Sequence, residues 1–294
     1  MTADWIAVDW GTSNLRAWAM QGDRPVAAGG SDKGMGALAP EQFEAALLES
    51  VSDWLGDGPT PVVACGMVGA RQGWTEAPYR RVPCTPVDGA MVSAPAADPR
   101  LDVRIIAGLA QDRPADVMRG EETQIAGFLH RSPGFDGVLC LPGTHTKWVQ
   151  ISAGEVVSFR TFMTGEMFSL LAKQSVLRHT TAADGWDDEA FAEAVDEAIA
   201  RPEMMAARLF GLRAGTLLHE LPPERARARL SGLLIGAELA ATRPYWLGQQ
   251  VALIGAPGLA RAYAEALRPQ GVAAAQPDTT DITLAGLIAA RALI

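Results

Sequence analysis

The sequence predicts an α/β fold, and three observations carry that prediction. Short apolar runs bounded by glycine and polar residues alternate with longer segments whose apolar residues recur at helical spacing. A strand–turn–strand pattern occurs twice, as IAVDWGTSNLRAW at 6–18 and as VLCLPGTHTKWVQ at 138–150, with Gly11-Thr12 and Gly143-Thr144 set 132 residues apart. A third glycine turn, Gly255-Ala256-Pro257-Gly258, joins an apolar run to a helical pattern.

The elements follow in order. Residues 4–10 read as a strand, LRAWAM at 15–20 as its partner, and QGDRP as the next turn. In 40–55, Phe43, Leu47, Leu48, Val51, Trp54 and Leu55 form a helical stripe behind Pro40. PVVACGMVG (61–69) and VRIIAGL (103–109) are short apolar strands, the first running into glycines. EETQIAGFLH (121–130) reads as a helix opening on two acids, and 137–152 as the second strand–turn–strand unit. Residues 166–177, 187–200 and 225–243 are helical by pattern, 251–271 is strand, turn and helix, and 283–294 is a closing helix. Segments 93–102 and 178–188 read as loops.

The bulk properties narrow the function. A chain of 294 residues has room for two domains. Its 48% hydrophobic and 20% charged content is that of a globular protein. A net charge of −9 argues against nucleic acid as a partner, since nonspecific binding needs a basic face. Three cysteines, Cys65, Cys84 and Cys140, form no C-x-x-C pair and suggest neither a disulfide framework nor a zinc site. No leader pattern and no apolar run of about 18–20 residues is evident, so the expectation is a cytoplasmic protein without a membrane partner. A homo-oligomer is compatible with all of this.

Two glycine turns on duplicated strand pairs suggest two similar halves. Glycine lets backbone approach an anion without a Cβ in the way. The N–H groups of such a turn, with Thr and Ser hydroxyls, can cradle phosphate oxygens. Asp9 beside the first turn can bond its own backbone or hold a divalent cation through water. Gly11, Thr12, Ser13 and Asn14, and in the second unit Gly143, Thr144, His145, Thr146 and Lys147, are the corresponding phosphate candidates. The second turn lacks the acid, having Leu141-Pro142, and Lys147 can neutralise phosphate as a point charge.

The strings DWGTSNLRAW, ACGMVGARQGW, APY, VMRGEETQIAG, LPGTHTKWVQ, FRTFMTGE and SGLLIGAE, in this order, resemble the 2-dehydro-3-deoxygalactonokinase family. That family belongs to the sugar kinase/hexokinase/actin/Hsp70 superfamily, and the resemblance runs from residue 5 to about residue 290. It implies two RNase H-like lobes flanking a nucleotide cleft, expected as 1–110 on the sugar side and 111–294 on the nucleotide side, with the last helix packing back on the first lobe. It implies ATP and Mg²⁺ as cofactors and transfer of the γ-phosphate to the 6-hydroxyl of 2-keto-3-deoxy-galactonate, a small sugar acid. An exopolyphosphatase-like hydrolase, a kinase of a related keto-deoxy sugar acid and a nonenzymatic sensor or chaperone-like ATPase are the rival readings.

The resemblance also implies roles. The N-x-R pattern puts Arg16 on phosphate. Glu121 and Glu122 are ordinary acids for a first helical turn, but the pair is similar to the G-x-E-E-A of exopolyphosphatases, which favours Glu122 over Glu121 as the proton acceptor; Asp9 is a rival base. Arg160 and Arg119 are candidates to grip the substrate carboxylate, ahead of Arg71, Arg80 and Arg81. Thr164 and Glu166 are candidates for sugar hydroxyls, with helix-starting acid as the plain alternative for Glu166. Met67 and Trp74 line the sugar pocket or simply pack in the core, and Gly66 and Gly69 let a loop pass close to the sugar. Gly255 and Gly258 resemble an adenosine-binding turn. The small residues of SGLLIGAE and TLAGLIAA are expected to permit close helix packing.

Overall fold

The structure, a computed structural model, describes residues 2–294. Along the chain run β1 (Trp5–Trp10), β2 (Leu15–Gln21), β3 (Arg24–Ser31), α1 (Phe43–Val51), β4 (Thr60–Gly66), β5 (Tyr79–Arg81), β6 (Val92–Ser93), β7 (Leu101–Ile105), β8 (Gly108–Asp112), β9 (Ala115–Met118) and α2 (Glu121–Arg131). Then come β10 (Gly137–Leu141), β11 (Thr146–Ser152), β12 (Glu155–Phe162), α3 (Thr164–Gln174), α4 (Asp188–Ala200), α5 (Met205–His219), α6 (Pro223–Ala241), α7 (Arg243–Trp246), β13 (Val251–Leu253), α8 (Pro257–Leu267) and α9 (Thr279–Arg291). No helix among the described residues is long and apolar enough to cross a membrane.

The chain divides into two compact units. The first comprises the chain up to Asp136, Ile151–Ser158 and Asp278–Ile294; the second comprises Gly137–Gln150 and Phe159–Pro277. The division therefore falls at Asp136 and not near residue 110. The reason is packing: α2 belongs with α9, and the two helices cross at glycines. A Cβ on Gly127 would lie 1.9 Å from the Ile282 carbonyl oxygen, and one on Gly286 would lie 1.9 Å from that of Thr123.

The first unit is built on a six-stranded sheet of order β3-β2-β1-β4-β7-β6. β1 pairs antiparallel with β2 and parallel with β4. Its run WIAVDW is almost wholly buried because both faces are covered. Ile6, Val8 and Trp10 pack with Phe43 and Leu47 of α1, while Trp5 and Ala7 pack with Leu287 and Ala290 of α9. β3 is an edge strand of mostly exposed residues, so RPVAAGGS carries no apolar alternation, and only its first two residues fall in the expected QGDRP turn.

The second unit is built on a sheet of order β12-β11-β10-β13, which repeats the order β3-β2-β1-β4 of the first. Val138, Cys140, Trp148, Val251 and Leu253 of this sheet pack on Phe191 and Val195 of α4, Ile235 and Leu239 of α6, and Tyr263 of α8. β12 and α5 are elements that pattern alone did not reveal. α5 exposes Phe210, Leu217 and Leu218, so its apolar residues do not mark a buried face.

Candidate active site

In the first unit, β1 and β2 stop pairing at Trp10 and Leu15 and leave Gly11–Asn14 as the turn. The Gly11 N–H donates to the Asn14 carbonyl at 2.9 Å. The turn's carbonyls are held from outside, Gly11 O by the Met35 N–H at 3.0 Å and Thr12 O by the Gly36 N–H at 2.9 Å. The Thr12, Ser13 and Asn14 side chains are left exposed. A turn with its carbonyls already bonded inward presents donors, which suits an anion.

Asp9 and Arg16 are register partners beside this turn, and the Arg16 guanidinium donates to the Asp9 carboxylate. The Asp9 side chain is 19% exposed and that of Arg16 42%. Next to them β4 ends at Gly66, whose φ of +93° is left-handed. A Cβ there would fall 2.7 Å from the Trp10 carbonyl oxygen, so only glycine lets β4 close this tightly on β1.

Glu122 is the second residue of α2 and is fully buried. Its carboxylate accepts from the Gly120 N–H at 2.7 Å and from the Thr123 hydroxyl at 3.1 Å. Burial, with the neighbouring Glu121, pushes its pKa up to about 8. Glu121 is half-buried and accepts from the Arg119 N–H at 3.0 Å. Cys65, a residue that sequence reading gave no role, joins the two acids: its thiol lies 3.8 Å from the Asp9 carboxylate, and the charges of both Asp9 and Glu122 help burial raise its pKa. The signal in sequence is its place one residue before Gly66.

Several candidates lie in the interior. Trp74 packs edge-on against Trp10 and stacked on Phe43, and its indole N–H donates to the Pro95 carbonyl at 3.0 Å. Arg119 is buried over the Tyr79 ring at 4.4 Å and donates to the Ala77 carbonyl at 2.8 Å. Gly69 is buried where a Cβ would meet Ile105 and Arg119. Met67 is half-buried. Arg71, Arg80 and Arg81 are paired with Glu76, Asp88 and Asp112.

In the second unit, the turn between β10 and β11 sits against the start of α3. A Cβ on Gly165 would fall 2.2 Å from the Gly143 carbonyl oxygen, and the Glu166 N–H donates to the Thr144 carbonyl at 2.9 Å. The His145 ring lies 2.6 Å from the Glu166 carboxylate. Thr146 and Lys147 are buried behind the turn, the Lys147 ammonium donating to the His145 carbonyl at 3.2 Å. A cavity of about 800 Å³ opens from this turn: Gly143, Thr144, Thr164 and Gly258 line it, with Leu259 and Arg227. Trp186 and Phe168 add aromatic walls, and the Arg227 guanidinium lies over the Phe168 ring at 5.1 Å. Gly255 packs where a Cβ would lie 2.8 Å from the Pro142 carbonyl oxygen. Arg160 is exposed on β12 and does not line the cavity. Among the described residues no cluster of three His, Cys, Asp or Glu side chains is arranged to hold a metal ion.

The profile of the family described as 2-keto-3-deoxy-galactonokinase matches residues 9–290. A Rhizobium meliloti (strain 1021) protein described as a probable 2-dehydro-3-deoxygalactonokinase is 39% identical over 297 residues, covering 99% of this chain and 97% of the relative. The 2-dehydro-3-deoxygalactonokinase of Escherichia coli (strain K12) is 38% identical over 275 residues, covering 92% of this chain and 91% of the relative. A crystal structure from Sinorhizobium meliloti, provisionally given the same kinase description, superposes with a TM-score of 0.91 at 40% identity, over 98% of this chain and 99% of that one. With matching sequence along almost its whole length and a fold shared to that degree, the chain belongs to the 2-keto-3-deoxy-galactonokinase family.

Proposed function

We propose that this chain transfers the γ-phosphate of ATP to the 6-hydroxyl of 2-keto-3-deoxy-galactonate, a step of galactonate breakdown in the cytoplasm. The observation that carries the reading is the 800 Å³ cavity of the second unit, which starts at the Gly143-Thr144 turn and runs to Gly258-Leu259. A phosphate cradle at one end and apolar, glycine-edged walls at the other suit a nucleotide. The repeated strand order supports reading each unit as an RNase H-like lobe.

The roles follow from chemistry. In the first unit the Gly11–Asn14 turn, with Arg16 beside it, and in the second the Gly143–His145 turn, with Lys147 buried behind it, are the phosphate-binding turns. Glu122 accepts the hydroxyl proton. A general base works best with a pKa near the working pH, and burial brings Glu122 to about 8. Arg160, exposed and on the strand that leads into α3, meets the substrate carboxylate, while Glu166 meets sugar hydroxyls. Trp74, Arg119, Gly66 and Gly69 support the loop from inside, and the half-buried Met67 forms its outer side.

Mg²⁺ fits Asp9. A partly exposed carboxylate beside a donor-rich turn can hold the ion through water, with phosphate oxygens completing the shell. When bound, the ion would offset phosphate charge.

The test is ADP release from MgATP, measured with and without 2-keto-3-deoxy-galactonate. Release that requires the sugar acid supports the kinase. Release indifferent to it overturns the substrate assignment in favour of a phosphohydrolase. Repeating the assay with 2-keto-3-deoxy-gluconate reads the epimer preference.

A further inference from the structure

Glu238 lies in the last turn of α6, 3% exposed, and its carboxylate gathers donors from three other elements. The Trp148 indole of β11 donates to Oε1 at 2.7 Å. The Tyr263 hydroxyl of α8 donates to Oε2 at 2.9 Å, and the Thr164 hydroxyl of α3 donates to the same oxygen. Tyr263 extends the chain of bonds to Thr146 Oγ1 at 3.0 Å. Burying a carboxylate is costly unless it is fully bonded, and an apolar replacement often holds a core as well or better. Cohesion alone therefore does not account for this residue.

The elements it ties are the ones that shape the cavity. Thr164 and Tyr263 line it. Thr146 directly follows the Gly143–His145 turn, and the backbone beside Thr164 is the part of α3 that the turn rests on. We propose that Glu238 is a positioning residue for the nucleotide: by bonding Trp148, Thr164 and Tyr263 at one carboxylate, it sets the turn and two walls of the cavity in the geometry that holds ATP. This rests on reading the cavity as the nucleotide site.

Ionisation bears on that role. An ionised carboxylate accepts from all three donors, whereas a protonated one must donate and forces a hydroxyl to reverse. Burial pushes the Glu238 pKa up to about 7, while the three hydrogen bonds hold it down. The titratable groups facing it are Tyr263 and Cys140 of β10, both kept protonated by burial. On α4, which packs along α6, Glu193 and Glu197 are paired with Arg225 and Arg229, and Arg229 stands about two and a half turns from Glu238.

The experiment is calorimetric titration of MgADP into wild type, Glu238→Gln and Tyr263→Phe at pH 6 and pH 8.5, with thermal midpoints recorded. The amide keeps the shape and an acceptor for Trp148 but cannot ionise. At pH 8.5 the Gln variant is expected to bind about tenfold more weakly than wild type, and at pH 6 within twofold. Tyr263→Phe, which cuts the link to Thr146, weakens binding at pH 8.5 and carries the test if the Gln variant does not fold. Equal affinity of wild type and variants at both pH values, or a loss of the same size at both, overturns the inference and leaves a structural role only. Absence of MgADP binding by the wild type instead overturns the nucleotide reading of the cavity, and this inference with it.

Discussion

Asp9 and Arg16 face each other across the first hairpin, one pair before the strands part to form the Gly11–Asn14 turn. Arg16→Ala is expected to raise the KM for ATP about tenfold or more, the size of a lost charge-assisted contact to phosphate. The KM for the sugar acid should change much less. Steady-state kinetics with each substrate varied in turn checks this, and equal effects on both constants would contradict a phosphate role.

Glu122→Gln should lower kcat by about 10²–10⁴-fold, the usual contribution of a positioned base. Turnover that survives the change moves the base to Asp9 or Glu121, and Asp9→Asn then separates those two.

The same residue gives a stability test. Its folded pKa of about 8 lies above the ordinary 4.5, so the folded state holds the proton more tightly than the unfolded chain. Its contribution is fully present below pH 4.5 and is lost as pH rises through 8. The thermal midpoint of the wild type should therefore fall from pH 5 to pH 9 more steeply than that of Glu122→Gln. Parallel curves would show that the carboxyl ionises as freely in the folded protein as in the unfolded chain.

Gly66→Ala places a Cβ at a left-handed φ and against the Trp10 carbonyl. The cost should be ~1–3 kcal/mol, with activity falling because the Asp9 strand end is displaced. Urea denaturation measures the first and the ADP assay the second.

Gly258→Leu tests the cavity. A Cβ at Gly258 meets no atom within 4 Å, so the added side chain starts into open space. The thermal midpoint should hold or rise, since glycine is a poor helix residue. The KM for ATP should increase about tenfold as the cavity narrows, with the sugar acid unaffected. An unchanged KM for ATP would place the nucleotide elsewhere.

The sequence by itself determined the α/β class, the two hairpins, most of the helices and the family. These are local facts: an apolar run such as Trp5–Val8, a Gly-Thr turn, a stripe at helical spacing. Hairpin chemistry also made Asp9, Gly11 and Gly143 legible, because a turn needs those residue types wherever it lies. β3 and α5 were missed because an edge strand and a helix with exposed apolar residues do not carry the expected pattern. What only the tertiary structure decided is which distant residues share an environment. Spacing cannot report that Trp74 and Arg119 lie inside, that burial lifts Glu122 to about 8, or that α2 joins the first unit by crossing α9 at Gly127 and Gly286. Nor can it find Glu238, whose partners Trp148, Thr164 and Tyr263 stand 90, 74 and 25 residues away. Burial and hydrogen bonding depend on where the chain returns in space, and that is settled only when the core closes.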